Sequence, residues 1–186
     1  MTKRQLKPFH AHHDLSSAMM HWQFGDNSDR SIAIIGGSIV ENCLEGYIAS
    51  RMPKGKVSEN LLQHVLDSFG KMIDAAYAFM LIPEDLRQEL DLIRKIRNSF
   101  AHKIFADYES EKTLEGLRFE NREIKGWCST LKSCGNAADS RDRFIGSVSF
   151  TSRILVAESK VPWDRKAPKS LSISSADMAG LPRPIV

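Results

Sequence analysis

Residues 82–104 read Ile-Pro-Glu-Asp-Leu-Arg-Gln-Glu-Leu-Asp-Leu-Ile-Arg-Lys-Ile-Arg-Asn-Ser-Phe-Ala-His-Lys-Ile. Leu86, Leu90, Ile93, Ile96, Phe100 and Ile104 recur every three or four residues, which is the period of an amphipathic helix with one buried stripe. Pro83 suits the first helical position, and Glu84 and Asp85 complement the positive end of the helix dipole. Arg97 breaks the pattern: at about 100° per residue it lies about 20° from Leu86, inside the apolar stripe. A guanidinium on that face must be paired or line a cavity. It opens the hexapeptide Arg97-Asn98-Ser99-Phe100-Ala101-His102.

Outward from this stretch, the pattern stays helical. Residues Asp29 to Arg51 predict a long central helix, with Ile32, Ile35, Ile39, Cys43 and Tyr47 on one side and Val40 and Leu44 widening the face. Gly36-Gly37 costs about 1 kcal/mol per glycine in helix propensity, tolerable where another helix passes close by. Glu41 and Glu45 share a face of this helix. They read either as a solvated acidic edge or as the carboxylates that neutralise Arg97 across a helix contact. Ser58 is expected to cap a helix with Leu61, Leu62, Val65, Leu66 and Phe69, stopping at Gly70. The next helix places Met72, Ile73, Ala76, Phe79 and Met80 inside. Its only polar side chains, Lys71, Asp74 and Tyr77, make it core rather than a helix that reads base edges, so no helix-turn-helix is expected.

Beyond Ile104 the periodicity fades. Asn121 is expected to cap a helix with Ile124, Trp127, Cys128 and Leu131, ended by Cys134-Gly135-Asn136. Asp139 opens a last helix with Phe144, Val148, Thr151 and Leu155 on one face and Arg141 and Arg143 near its start. No stretch alternates with a period of two, so the predicted fold is all-α, a single bundle of six to seven helices. The expected organisation is an arm and short helix over 1–28, a helical domain over 29–159, and a Pro/Ser-rich, flexible tail over 160–186. Trp163 is placed to anchor the start of the tail. Arg165, Lys166 and Lys169 read as solvated linker charges or, alternatively, a small basic binding cluster.

Composition narrows the function classes. A chain of 186 residues suffices for one core without disulfides or metal, and its formal charge of +3 is too small to require nucleic acid. No apolar run approaching the roughly 20 residues of a spanning helix is expected, and neither is a membrane partner, which places the chain in the cytoplasm. Cys43, Cys128 and Cys134 sit in apolar patterns as reduced, buried small hydrophobes. His10, His12, His13 and His21 have the chemistry to hold a transition metal. With no matching cysteine or carboxylate set they read as part of a basic arm, and no cofactor or metal site is assigned.

The run Phe69-Gly-Lys-Met-Ile-Asp-Ala-Ala-Tyr-Ala-Phe-Met-Leu-Ile82, closing in Ile93-Arg-Lys-Ile-Arg-Asn-Ser-Phe-Ala-His102, resembles the mannitol operon repressor family. Similarity extends to the helix Ser31 to Ile48, to Leu117-Arg118-Phe119-Glu120 ahead of Cys128 and Leu131, and to Arg143-Phe144, covering roughly residues 29–156. The resemblance implies an all-helical transcriptional regulator with no separate DNA-reading module, working through contacts with another protein and through self-association. The hexapeptide also resembles the Arg-polar-x-x-x-His signature of the HEPN superfamily, many members of which are metal-independent endoribonucleases acting as dimers. That resemblance implies Arg97 holding a scissile phosphate, His102 as general base or acid, Asn98 orienting either, RNA as substrate and an antitoxin as partner. On one continuous helix Arg97 and His102 stand about 140° apart, so this chemistry requires a helix break near Ala101 or a second copy of the chain.

Overall fold

A computed structural model describes residues 27–102, 117–134 and 137–161. Among these residues are six α-helices and no strand. They are α1 (Asp29–Ser50), α2 (Lys56–Asn60), α3 (Phe69–Ala78), α4 (Glu84–His102), α5 (Arg122–Thr130) and α6 (Ser140–Ser159). The predicted arm up to residue 26, with its histidines, and the tail from Pro162 on lie outside the described residues.

Helix α1 is central because it is apolar on two sides. It packs against α6, α4 and α3, burying Ile32, Ala33, Val40, Cys43, Leu44, Tyr47 and Ile48 with both glycines. Ile35, expected inside, is exposed, because the buried face is the one that carries the glycines. A Cβ on Gly36 would stand 2.9 Å from the Phe144 ring of α6, and one on Gly37 would stand 2.5 Å from Cγ of Arg97 on α4. The two glycines thus admit one neighbouring helix each, and close packing offsets their propensity cost. One consequence corrects the sequence reading. With 22 residues and a mean hydropathy of 1.3 over its best window, α1 is long and apolar enough to cross a membrane by length and composition alone. In the bundle half of that window is buried against the helices around it.

Serine and aspartate caps set the starts of α1, α3 and α6. Ser28 accepts from the Ser31 amide at 3.2 Å, and Asp139 from the Asp142 amide at 2.7 Å, as expected for the last helix. All of Phe144, Val148, Thr151 and Leu155 are buried on α6. The second predicted helix differs. Ser58 does not cap it but donates to the Pro53 carbonyl at 2.6 Å, and α2 runs into a wider π-helical turn, Leu61–Val65, closed by the Leu66 amide on the Leu61 carbonyl at 2.9 Å. The extra residue turns Val65 out while Leu62 and Leu66 stay buried. Ser68 caps α3, so Gly70 lies in that helix's first turn rather than at an end.

Two arginines close helix C-termini, where carbonyls lack partners and cations are favoured. Arg143 donates to the carbonyls of Cys128, Ser129 and Leu131 at 3.0–3.2 Å, ending α5 at Thr130, earlier than Cys134. Asn121, at the start of α5, accepts from the Arg118 amide and makes no side-chain bond into the helix. Arg51 donates to the carbonyls of Glu158 (2.6 Å) and Val161 (2.8 Å) at the end of α6. Phe119 stacks between Phe100 and Phe144, with centroids 5.0 and 5.3 Å away, at the opposite end of the bundle.

The α3–α4 corner departs most from expectation. Phe79 and Met80 were expected inside but are 62% and 70% exposed. Helix α3 ends at Ala78 in a turn where the Leu81 amide reaches the Ala76 carbonyl (2.8 Å) and the Met80 amide the Tyr77 carbonyl (2.9 Å). This is the Schellman pattern, with Met80 at the left-handed position, φ 55°, where glycine is usual. The periodicity of the sequence continues through 79 and 80, but the backbone reverses there and buries Leu81 and Ile82 instead. The buried Tyr47 hydroxyl donates to the Leu81 carbonyl at 2.6 Å and fixes the corner to α1. Met80→Gly is expected to raise the unfolding free energy by about 1 kcal/mol, because the left-handed conformation costs an L-residue that much and glycine nothing. A urea titration measures it, and a destabilised glycine variant would contradict the strain.

Candidate functional site

The site is built where α4 crosses α1. Helix α4 is continuous from Glu84 to His102, with no break near Ala101. Its buried face carries Leu86, Leu90, Ile93, Ile96 and Phe100, as the spacing predicts. Arg97 lies on that face against Gly37, whose missing side chain gives the arginine stem its room. The Nη2 atom of Arg97 then reaches Oε2 of Glu41 at 3.0 Å, and Nη1 donates to Oδ1 of Asn98 at 2.9 Å. Glu41 is one turn beyond Gly37 and so overlies the guanidinium. Glu45, a further turn along, forms no ion pair with Arg97.

Both partners of the pair are partly open, at 29% side-chain exposure for Arg97 and 23% for Glu41. Solvent screens such a pair, which holds its value to about 1 kcal/mol. Asn98 gives its carbonyl oxygen to the Arg97 guanidinium. His102 is the last residue of α4 and is exposed. On the unbroken helix it stands about 140° around from Arg97, whereas Asn98, four residues earlier, shares its face. Within one chain, then, the structure brings Arg97 together with Asn98 and Glu41, and not with His102. Chemically the site is a neutralised guanidinium, and a phosphate approaching it would meet the Glu41 carboxylate.

A second polar residue on the α4 stripe escaped the sequence reading. Glu89 is 3% exposed, buried among α4, α6 and the segment after α5. It accepts from the backbone amides of Lys132 (3.0 Å) and Ser133 (3.2 Å), from the Ser147 hydroxyl (2.6 Å) and from the Ser133 hydroxyl. The helical wheel that singles out Arg97 also places Glu89 about 60° from Leu86, between Ile96 and Phe100. That was the available signal. The cluster is architectural: four donors surround one carboxylate, and it ties the segment 131–134 to α4 and α6.

The three cysteines are free and buried, as expected. Burial pushes the thiol of Cys43 up to about 11 and that of Cys128 up to about 12, and raises that of Cys134 as well. All three are held as thiols at neutral pH, which disqualifies them as nucleophiles. Among the described residues no group of three or more His, Cys, Asp and Glu is placed to hold a metal ion, and His10, His12, His13 and His21 lie outside those residues. No family model, curated protein or solved structure matches the chain.

Proposed function

We propose that this chain is a cytoplasmic helical regulatory protein, similar to mannitol operon repressors, that self-associates as a dimer and acts through contacts with other proteins. The observation that supports this over catalysis is the engagement of Arg97 by Glu41 at 3.0 Å on a helix that carries His102 round to another face. The exposed side of α3 offers Lys71, Asp74 and Tyr77, while Met72, Ile73 and Ala76 are buried. That face has too few donors and acceptors to read a groove, which favours protein over DNA as the partner.

One feature supports a second reading, a HEPN-type, metal-independent endoribonuclease with an antitoxin partner. Asn98 and the exposed His102 share a helix face, and a second copy facing them would supply the other half of a phosphate site. One preparation of the pure protein separates the two readings. Incubated with RNA in EDTA it is expected to leave the RNA intact, and a tagged chain is expected to retain one defined protein partner from cell extract without shifting DNA. Metal-free RNA cleavage that disappears in both Arg97→Ala and His102→Ala would replace the regulatory reading by the nuclease.

A further inference from the structure

The bundle exposes large apolar side chains at the end where its described chain stops. Phe79 and Met80 stand out at the α3–α4 corner, and Val161, the last described residue, is 52% exposed. Two side chains join these places. Arg51 donates to the Val161 carbonyl at 2.8 Å, its guanidinium lies 5.0 Å over the Tyr47 ring, and the Tyr47 hydroxyl holds the Leu81 carbonyl, next to Met80. The other end of the bundle is where the chain enters, since Asn27 is held by Arg141 at the start of α6. The described chain therefore ends, at Val161, on the side of the bundle that carries the exposed corner, and the sequence continues Pro162-Trp163. Two residues of extended chain reach roughly 7 Å.

We propose that the corner formed by Phe79 and Met80 is the docking surface for this chain's own C-terminal segment, entered by Pro162 and Trp163. The chemistry is suited to it. An indole packs well against a thioether and the edge of a phenyl ring, and its N–H end remains free for water. Met80, at the left-handed position of the turn, is 70% exposed, so its side chain is open to a partner. Helix α6 ends at Ser159, and Pro162 lacks the backbone N–H that a continuing helix would use. The proposal is independent of whether the protein regulates transcription or cleaves RNA.

The test uses the full chain with Ala78→Cys, an exposed position beside the corner that leaves Phe79 and Met80 in place, and Asp164→Cys, treated with a short bismaleimide; the three native cysteines are buried and leave the two introduced thiols as targets. The expected product is a cross-linked monomer whose rate of formation does not change with protein concentration. A covalent dimer whose rate rises with concentration would assign the corner to a second copy, and no cross-link would leave it without this occupant; both overturn the proposal. A second measurement avoids cysteine chemistry. In the variant Phe79→Asp/Met80→Asp, trypsin should cut at Arg165 and Lys166 about tenfold faster than in the parent, since cleavage follows the population of the open form. The thermal transition of the body should be unchanged. Equal cutting rates would equally sink the idea.

Discussion

Glu89→Ala is expected to lower the unfolding free energy by about 3–5 kcal/mol, the range found when one partner of a buried charged cluster is removed. The substitution leaves the amides of Lys132 and Ser133 and the hydroxyls of Ser133 and Ser147 facing a cavity that water does not reach. The two hydroxyls can rotate to carbonyls of their own segments, but the two amides point where the backbone aims them, so most of the loss comes from them. Glu89→Gln separates charge from hydrogen bonding. It keeps one acceptor oxygen and presents an NH2 group to donors that have no use for it, so its cost is expected at about 2 kcal/mol. Urea denaturation followed by circular dichroism measures both variants. If the alanine variant falls within about 1 kcal/mol of the parent, the donors do not depend on the carboxylate and the cluster is not the tie between α4, α6 and the 131–134 segment.

The helical bundle was legible because its cause is local. A stripe repeating at 3.6 residues must bury one side, and the aspartate ahead of α6 satisfies an amide that any helix start leaves open. Hence Asp139 caps as expected, and Phe144, Val148, Thr151 and Leu155 all face the core. What failed depends on where the backbone turns. Phe79 and Met80 continue a good apolar period, yet the chain reverses at Met80 through a conformation that sequence reserves for glycine. Ser58 and Ser68 both precede apolar residues, and only the tertiary position of the π-helical turn decides which one caps a helix.

The candidate site was half legible for the same reason. Arg97 announced itself by standing on an apolar face, and its partner could be narrowed to the two glutamates of the neighbouring helix. The choice of Glu41 over Glu45 follows from where α1 and α4 touch, and that is set at Gly37, one turn before Glu41. Glu89 was hidden because its donors come from a segment more than forty residues away, after α5. No periodicity encodes backbone amides arriving from that distance.

Gly37→Ala is expected to destabilise the protein by about 2 kcal/mol, against the sign that helix propensity alone would give. In an open helix, glycine to alanine gains about 1 kcal/mol. At Gly37 the new Cβ would sit 2.5 Å from Cγ and 2.7 Å from Cβ of Arg97, inside contact distance. Neither atom is the free end of a side chain, so the clash is relieved only by moving α1 away from α4, at the 1–3 kcal/mol typical of overpacking or above it. Gly126 supplies the control, since a Cβ there meets nothing within 4 Å on the exposed side of α5, and Gly126→Ala should stabilise by about 1 kcal/mol. Adding Arg97→Ala to Gly37→Ala removes the Cγ contact but keeps the Cβ contact, so the double variant should recover only part of the loss. Thermal unfolding of the four proteins reads all of this. If Gly37→Ala stabilises as Gly126→Ala does, the helices do not touch at Arg97 and the arginine is free to serve a phosphate. If it destabilises as expected, the stem of Arg97 is wedged between two helices, and the guanidinium is carried to Glu41 by packing that any ligand would have to undo.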